Sequence, residues 1–523
     1  MTAIKKHISF FAVLALTSAL ASPQAKAVSA IDSTHTEKPH VVSAWVGDSI
    51  PTLYAVSGEN PALAGLLRPH SLTVLGLDYG HMRRDSIIDP QSGKGLNRFG
   101  MGASTYTRAG KSMVLQGHAS YHRQEQKQVV WNETSDYAMI YPYLSADSIG
   151  GDLQGEIYDF GGAYSDRRGS LLWGAALDYT AGLYWRSVDP RPRNVTSNLR
   201  ARAGIAYSLS HRAVLGLALR YTRYKQTSSI AFASEMGVDK VYHLIGLGLQ
   251  YQRWGGLGLS THYNANLWGL SLDLRPDGLE GTGASASFSY DGMAMDVLLT
   301  DLNKLPMAHI STYRFGAKAG WSWTKGYSRR SIVAYGATSL RQGTENIFGD
   351  PAGSIYPQIG SLNMYRHRLY DAGIEGLWTQ RHGAYGVLTA RLASGYHRSS
   401  ELYISPRQKM SVERWRTALE VSATAALKGK TLGHLAAGAE VSPVLSSSYE
   451  YTLTGTSPNS LLALTRLQYN SRSANTATFF AGIGATFAVG RLALRPQLKY
   501  VHQCYNGISA DTDAVEAAVL LAF

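Results

Sequence analysis

The chain has 523 residues with 53 glycines, 32 tyrosines and a single cysteine, and only 17% of it is charged, against roughly 25% in an average soluble domain. One cysteine, Cys504, excludes an internal disulfide framework, and a formal charge of +13 does not by itself name a partner. No uncharged apolar run approaches the roughly 20 residues that a membrane-spanning helix needs, so any crossing of a bilayer falls to strands.

At the N-terminus, Lys5, Lys6 and His7 precede an apolar run from Ile8 to Ala21, and Ala25-Lys26-Ala27 offers a small-residue cleavage site. Residues 1–27 therefore read as a secretory signal peptide, with the mature chain starting near Val28. Export removes nucleic acid as a partner and makes Cys504 a strand residue hidden by packing, with no chemistry of its own. Residues 28–69 carry no strong period and are expected to form a periplasmic tail or a plug tucked into a lumen.

From about His70 to Phe523 the pattern is strand, turn, strand. Leu75, Leu77 and Tyr79 alternate with Gly76, Asp78 and Gly80. Leu215, Leu217, Leu219 and Tyr221 share one parity and run on into Arg223 and Lys225, while Gly216, Ala218, Arg220 and Thr222 hold the other. This is a lipid-facing stripe topped by an aromatic ring and then by cations that reach water or lipid phosphate. The same grammar places Ile245, Leu247, Leu249 and Tyr251 outward against Gly246, Gly248 and Gln250, and Leu257, Leu259 and Tyr263 outward against Ser260, His262, Asn264 and Asn266.

Near the C-terminus, Phe479, Ala481, Ile483, Ala485 and Phe487 form an outward stripe, and a tight turn follows at Gly490-Arg491. Leu492, Leu494, Leu498 and Tyr500 then face out, against Arg495, Gln497 and Lys499. Pro496 removes a ladder donor, so a bulge or an unpaired residue is expected there. The last strand carries Val515, Ala517, Val519, Leu521 and Phe523 on one parity. A terminal aromatic after such a strand resembles the signal by which the barrel-assembly machinery recognises its clients, and it puts the Gly490 turn in the periplasm and the longer 506–512 connection outside.

These segments predict an all-β fold: a transmembrane antiparallel up-and-down β-barrel of about 18 strands, within 16 to 20, over residues 70–523. A ring that wide cannot fill itself with its own side chains, so it leaves a channel or is plugged. Arg220, Gln250, Asn264, Asn266, Arg495 and Lys499 are the expected lumen residues.

Three stretches break the rhythm and are expected as ordered loops or an inward plug. They contain Trp131, Asp136, Tyr141, Tyr143, Asp147 and Asp152; Asp189, Arg191 and Arg193; and Glu345, Asn346 and Asp350. If the acids converged they would offer Ca²⁺ several oxygens, but their spacing matches no calcium loop and turn chemistry explains them more simply, so no metal or cofactor is predicted. Arg191 and Arg193 suit a phosphate or carboxylate, or pair with loop acids.

Trp131-Asn-Glu-Thr-Ser-Asp-Tyr, Tyr141-Pro-Tyr, Ala146-Asp-Ser-Ile-Gly-Gly-Asp, Asp189-Pro-Arg-Pro-Arg-Asn and Glu345-Asn-Ile-Phe-Gly-Asp resemble segments of an uncharacterised outer-membrane barrel family of Bacteroidota. Asn60-Pro-Ala-Leu-Ala-Gly65 resembles the Asn-Pro-Ala segment of the fatty-acid channels and of the PorP/SprF-type gliding and secretion proteins. The first resemblance implies an outer-membrane barrel without a known activity.

The function expected is a non-enzymatic solute channel or transporter, or a scaffold for envelope lipoproteins or secretion components, in contact with outer-membrane lipid and lipopolysaccharide. A hydrophobic-compound channel is the first alternative. A barrel lipase or protease using His118 with Ser120, or His262 with Ser260, is the second, without a recognisable motif.

Overall fold

The computed structural model describes residues 52–523 apart from 211–212, 234–240, 252, 254–259, 278–281, 354, 384, 428–430 and 453–459. The signal-peptide reading of residues 1–27, the first part of the 28–69 segment, and Leu257 and Leu259 lie outside the described residues.

The chain runs through β1 (Leu72–Arg84), β2 (Gly95–Ala109), β3 (Met113–Val129), β4 (Tyr143–Ala146), β5 (Gly151–Arg168), β6 (Leu171–Trp185), β7 (Arg191–Ser210) and β8 (Ala213–Ala231). It continues through β9 (Tyr242–Gly246), β10 (Leu249–Gln250), β11 (Ser260–Arg275), β12 (Gly283–Leu299), β13 (Leu305–Lys325), β14 (Ser328–Phe348) and β15 (Gln358–His382). The last seven are β16 (Gly386–Tyr403), β17 (Gln408–Ala426), β18 (Leu432–Ser442), β19 (Val444–Tyr451), β20 (Thr476–Val489), β21 (Leu492–Tyr505) and β22 (Thr512–Ala522). Among the described residues two α-helices, α1 (Tyr137–Ile140) and α2 (Leu461–Arg472), lie in connections.

All strands except β4, β9 and β10 belong to one antiparallel sheet that closes through β1 and β22, with Leu75 opposite Leu521 and Tyr79 opposite Ala517. β18 and β19 are two halves of one stave, both paired to β17 and divided at Pro443, which makes the ring 18-stranded, the number the sequence predicts. Connections at one rim are mostly tight turns, Gly169 and Gly490 adopting φ of 62° and 61° where a side chain would be strained. At the other rim the connections are longer, up to 232–259 and 452–475.

The two faces of each stave separate as alternation requires. Leu77, Phe160, Leu219, Trp268, Leu419 and Ile483 stand out around the ring, each at least half exposed. Apolar surface of that extent suits a hydrocarbon surround rather than water. On the long-loop side the stripe ends in a ring followed two residues on by a polar group: Tyr79 then His81, Tyr221 then Arg223, Tyr370 then Arg368, Tyr396 then Arg398, Tyr500 then His502. Pro496 costs the β20–β21 ladder its pairings at Ala485/Pro496 and Thr486/Arg495, and the register resumes unshifted at Phe487 and Leu494. Cys504 is buried on β21 and forms no disulfide.

Two outward stripes expected from sequence are corrected. Ile245, Leu247 and Leu249 do not face lipid; β9 and β10 pair with β4 as a small sheet, and these side chains are buried in the largest apolar cluster, among barrel strands. On β11 the parity is the reverse of that expected: Tyr263 and Ala265 are buried and point inward, and Asn264 and Asn266 share the outer face with Trp268 and Leu272. The inner sheet makes the upper lumen greasy, so apolar residues turn inward there.

Placing arginine at Leu419, near the middle of the outer band, should cost about 2–4 kcal/mol of folding into vesicles, while arginine at its inward neighbour Ala418 costs far less. Urea titration read by gel mobility measures both; equal penalties would contradict the face assignment.

Candidate functional site: a plugged lumen

The 130–150 connection turns inward at Trp131, whose φ of 59° reverses the chain, and delivers α1 and β4 into the barrel. The 232–259 connection follows, and β4 pairs with β9 through Tyr143 opposite Ile245 and Leu144 opposite Leu244. Ile140, Leu144, Leu244 and Ile245 pack against Met295, Val297, Leu299 and Ile310 of the wall. Each such side chain buried contributes about 1.5–3 kcal/mol, which is how two loops stay docked in a lumen. α2 docks beside the small sheet: Ser460 caps it by accepting from Ala463 N at 3.2 Å, and Leu461 and Leu464 lean on the sheet. The gap left between α2 and the sheet, lined by Trp131, Leu247 and Thr465 among others, is about 20 Å³, room for one water.

Polar anchors fix this plug in place. Arg186, at the next connection, meets Glu133 through Nη2 and lies 3.3 Å from Asp147 Oδ2, with all three side chains almost wholly buried. Burial pulls the Arg186 guanidinium down from its ordinary pKa and Asp147 opposes that pull. Asp147 Oδ1 also accepts from Ile149 N at 2.6 Å, and Asn194 Nδ2 donates to Glu133 O at 2.8 Å. Arg341 Nη1 donates to the carbonyls of Ala138 and Tyr141, both at 2.9 Å. α2 is tied through Arg472 Nη1 to Glu401 Oε2 at 3.1 Å and through Gln468 Nε2 to Asp89 Oδ1 at 2.7 Å.

Below the plug the inner wall is charged. Gly100, Gly161 and Gly269 each lie between an acid and a base on flanking strands: Asp78 and His122, Asp178 and His118, Asp291 and Arg220. A Cβ at any of the three would collide with the carboxylate, so these glycines let charged side chains lie flat across the wall. Arg220 Nη2 reaches Asp291 at 2.5 Å, Arg202 Nη2 reaches Asp178 at 2.8 Å, and His118 Nε2 reaches Asp159 at 3.0 Å.

Residues 52–69 follow the wall at the short-turn rim as a strap. Tyr54 is gripped by two guanidiniums, Arg275 and Arg329, at 4.7 and 4.9 Å from its ring centre. Ser57 donates to Asp273, Glu59 lies 3.8 Å from both Arg202 and Arg220, and Asn60 caps the 3-10 turn Pro61–Leu66, which packs on β5, β6 and β7.

The model of a family of unknown function, DUF6850, matches residues 61–517, almost the whole barrel together with the strap's 3-10 turn. The chain belongs to that family. No curated protein matches it. Solved structures similar to it include the monoaromatic hydrocarbon channel CymD, at 10% identity and TM-score 0.29 over 92% of this chain and 96% of that one. A mutant of the monoaromatic hydrocarbon channel TodX gives 10% and 0.30 over 88% and 92%, and the ferric preacinetobactin receptor BauA of Acinetobacter baumannii gives 9% and 0.41 over 87% and 80%.

Of the residues singled out in the sequence, the structure brings together Trp131, Asp136, Tyr141, Tyr143 and Asp147 in the plug and Glu345 on the wall facing it. The Tyr224 hydroxyl lies 2.9 Å from Asp136 Oδ2, Tyr141 Oη accepts from Leu247 N at 3.2 Å, and Glu345 receives Tyr403 at 2.9 Å and Tyr143 at 3.4 Å. The others do not join them. Asp152 sits on β5 holding Lys127 at 2.8 Å. Asp189 holds Arg191 at 2.7 Å at the rim, Arg193 is exposed on β7, Asn346 lies on β14 donating to Pro306 O at 2.6 Å, and Asp350 is exposed. The second and third stretches are therefore largely strand ends rather than loops. Among the described residues no three acids or histidines converge as a metal site.

Arg220, Arg495 and Lys499 point inward; Arg495 Nε donates to Thr486 at 2.8 Å and Lys499 lies over the Phe480 ring. Gln250 belongs to the small sheet, not the wall, and Asn264 and Asn266 are on the outer face, as described above. Sequence reading missed Glu133, Arg186, Arg472, Tyr54 and α2. For α2 a signal existed: Ser460 ahead of Leu461 and Leu464 has the cap and spacing of a helix start.

Replacing Arg186 by methionine would leave two buried carboxylates without their cation, a loss of about 3–5 kcal/mol in plug docking. Proteolysis within residues 131–150 should then speed up on the order of a hundredfold with barrel gel mobility unchanged; an unchanged cleavage rate would show that the triad is not the anchor.

Proposed function

We propose that this protein is an outer-membrane transport barrel for a polar solute, with a plug docked in its long-loop mouth and a strap along the wall at its short-turn rim. In this reading the long-loop rim is extracellular, the short-turn rim and its strap are periplasmic, and the chemistry is passage, not catalysis. The observation that carries it is the solvated charge inside the ring: Arg391 and Glu420 point inward with half-exposed side chains, and Arg314 and Lys318 are exposed on the inner face of β13. A wall that keeps water and both signs of charge below a dry plug suits a hydrophilic passenger.

A hydrophobic-compound channel would want a greasy route. The greasy part of this lumen is filled by its own side chains, and the wall beneath it is charged. Catalysis finds little support: His118 is engaged by Asp159 in the lumen, and His262 by Thr227 at 2.9 Å on the outer face. A scaffold role uses the same closed barrel and needs no opening.

Wild-type protein in planar bilayers should show little conductance. Removing residues 461–472 and replacing 133–147 by a Gly-Ser linker should open the upper mouth, and adding Tyr54→Ala, which loosens the strap, should raise conductance further. Folded, heat-modifiable variants that stay silent would sink the transport reading and leave the scaffold.

A further inference from the structure

Resting on the outer-membrane placement, we infer that Arg366, Arg368 and Arg398 form a site on the outer surface for the phosphates of an outer-leaflet glycolipid. Arg366 and Arg368 occupy the outward parity of β15 directly above Tyr370, and below them Ile374 and Trp378 continue the apolar band. Arg398 faces the same way on β16, opposite Tyr370, two residues above Tyr396. Three guanidiniums thus share one patch of two adjacent strands, with Glu413 on β17 beside them, 3.4 Å from Arg398 Nε. Among the described residues Arg366 and Arg368 make no ion pair, and Arg366 Nε is buried without a hydrogen-bond partner.

Like charges on neighbouring strands repel, and an anion bridging them removes that cost. Guanidinium forks fit phosphate bidentately. The depth of the patch selects the kind of phosphate. It lies one step above the aromatic collar of Tyr370, Tyr396 and Trp415, where a ligand with its phosphates on the arginines lays its chains along Ile374 and Leu392. From Tyr370 to Trp378 the band runs about 26 Å along the strand at roughly 3.3 Å per residue, which a strand tilt of about 40° projects to roughly 20 Å, within the apolar girdle of about 25 Å and leaving the arginines at its upper edge. A comparable collar position on β8 is built differently. There Arg223 Nη1 donates to Asn266 Oδ1 at 2.8 Å and the site is satisfied by the protein itself.

The test compares wild type with the triple variant Arg366→Gln, Arg368→Gln, Arg398→Gln, both folded into phosphatidylcholine vesicles containing diphosphoryl lipid A, its monophosphoryl form, or neither. Diphosphoryl lipid A should raise the temperature of the wild-type gel-mobility transition, the monophosphoryl form should raise it less, and the variant should respond at least about tenfold more weakly in lipid concentration. Equal responses from two proteins that both fold with normal mobility would overturn the site. If inorganic phosphate at the same concentration reproduced the wild-type shift, the glycolipid assignment would be overturned in favour of a free-anion site. A wild-type protein that never inserts into any vesicle would overturn the barrel reading itself, a result distinguishable from the others by its unshifted mobility.

Discussion

Phe523 O accepts a hydrogen bond from Thr73 N at 2.9 Å, and Phe523 N returns one to Thr73 O at 3.0 Å. Through that exchange the last residue seals the seam between β22 and β1. Within hydrocarbon no water stands in for a missing partner, and each unpaired backbone group costs several kcal/mol, so the sheet either closes or does not cross. The outer stripe, the aromatic collar and the enclosed lumen all presuppose that closure. The stave divided at Pro443 shows how narrowly it is met: between β18 and β19, Trp415 N still finds the Pro443 carbonyl at 3.0 Å.

An 18-stranded ring encloses more space than its inward side chains can fill, and this decides what the loops do. Two connections and a helix enter the upper lumen and bring apolar residues with them, and the wall answers in kind with Met293, Met295, Val297 and Leu299 on the inner parity of β12. On β11 and β12 the upper wall is therefore apolar inside, at Tyr263, Ala265, Met295 and Val297, and polar outside, at Asn264, Asn266 and Asp296, while lower on β11 the order is reversed, with Trp268 and Leu272 outward and Asp273 inward. Alternation reports only that one face is dry. It does not say which.

That ambiguity sets what could be read from the chain. On β8, where Leu215, Leu217, Leu219 and Tyr221 face outward and Arg220 faces the lumen, the sequence pattern and the structure agree because this stripe lies below the level of the plug. On β11 the same grammar was read with the wrong sign, because Tyr263 meets the plug while Asn266 takes hydrogen bonds from Tyr221 and Arg223 in the polar collar. Ile245 to Leu249 look like a lipid stripe for the same reason: a buried inner sheet demands the period that a bilayer demands. The acids of the first unusual stretch could be found by composition, but the cation that binds two plug acids, Arg186, lies about 40 to 50 residues further on in a turn without distinguishing features. Glycine on the inner parity was visible too. Its use at Gly161 and Gly269 depends on charges two strands apart that only the register brings together.

The plug combines two kinds of contact with different physical consequences. Its apolar core is non-directional and would hold several loop arrangements almost equally well. Its buried ions are poor sources of net stability, since desolvating Arg186, Glu133 and Asp147 costs about as much as their attraction returns, yet a displaced loop would leave them unpaired in a dry interior. The charges therefore discriminate among docked states more than they stabilise docking. A loop held in this way has one well-defined docked position and would leave it as a unit. It can do so well below the cost of unfolding the wall, because none of its contacts belongs to the sheet's own ladder of backbone hydrogen bonds. The plug's stability is thus separate from that of the ring, and the transport reading proposed above requires that separation, since the mouth would have to change state while the wall stays closed.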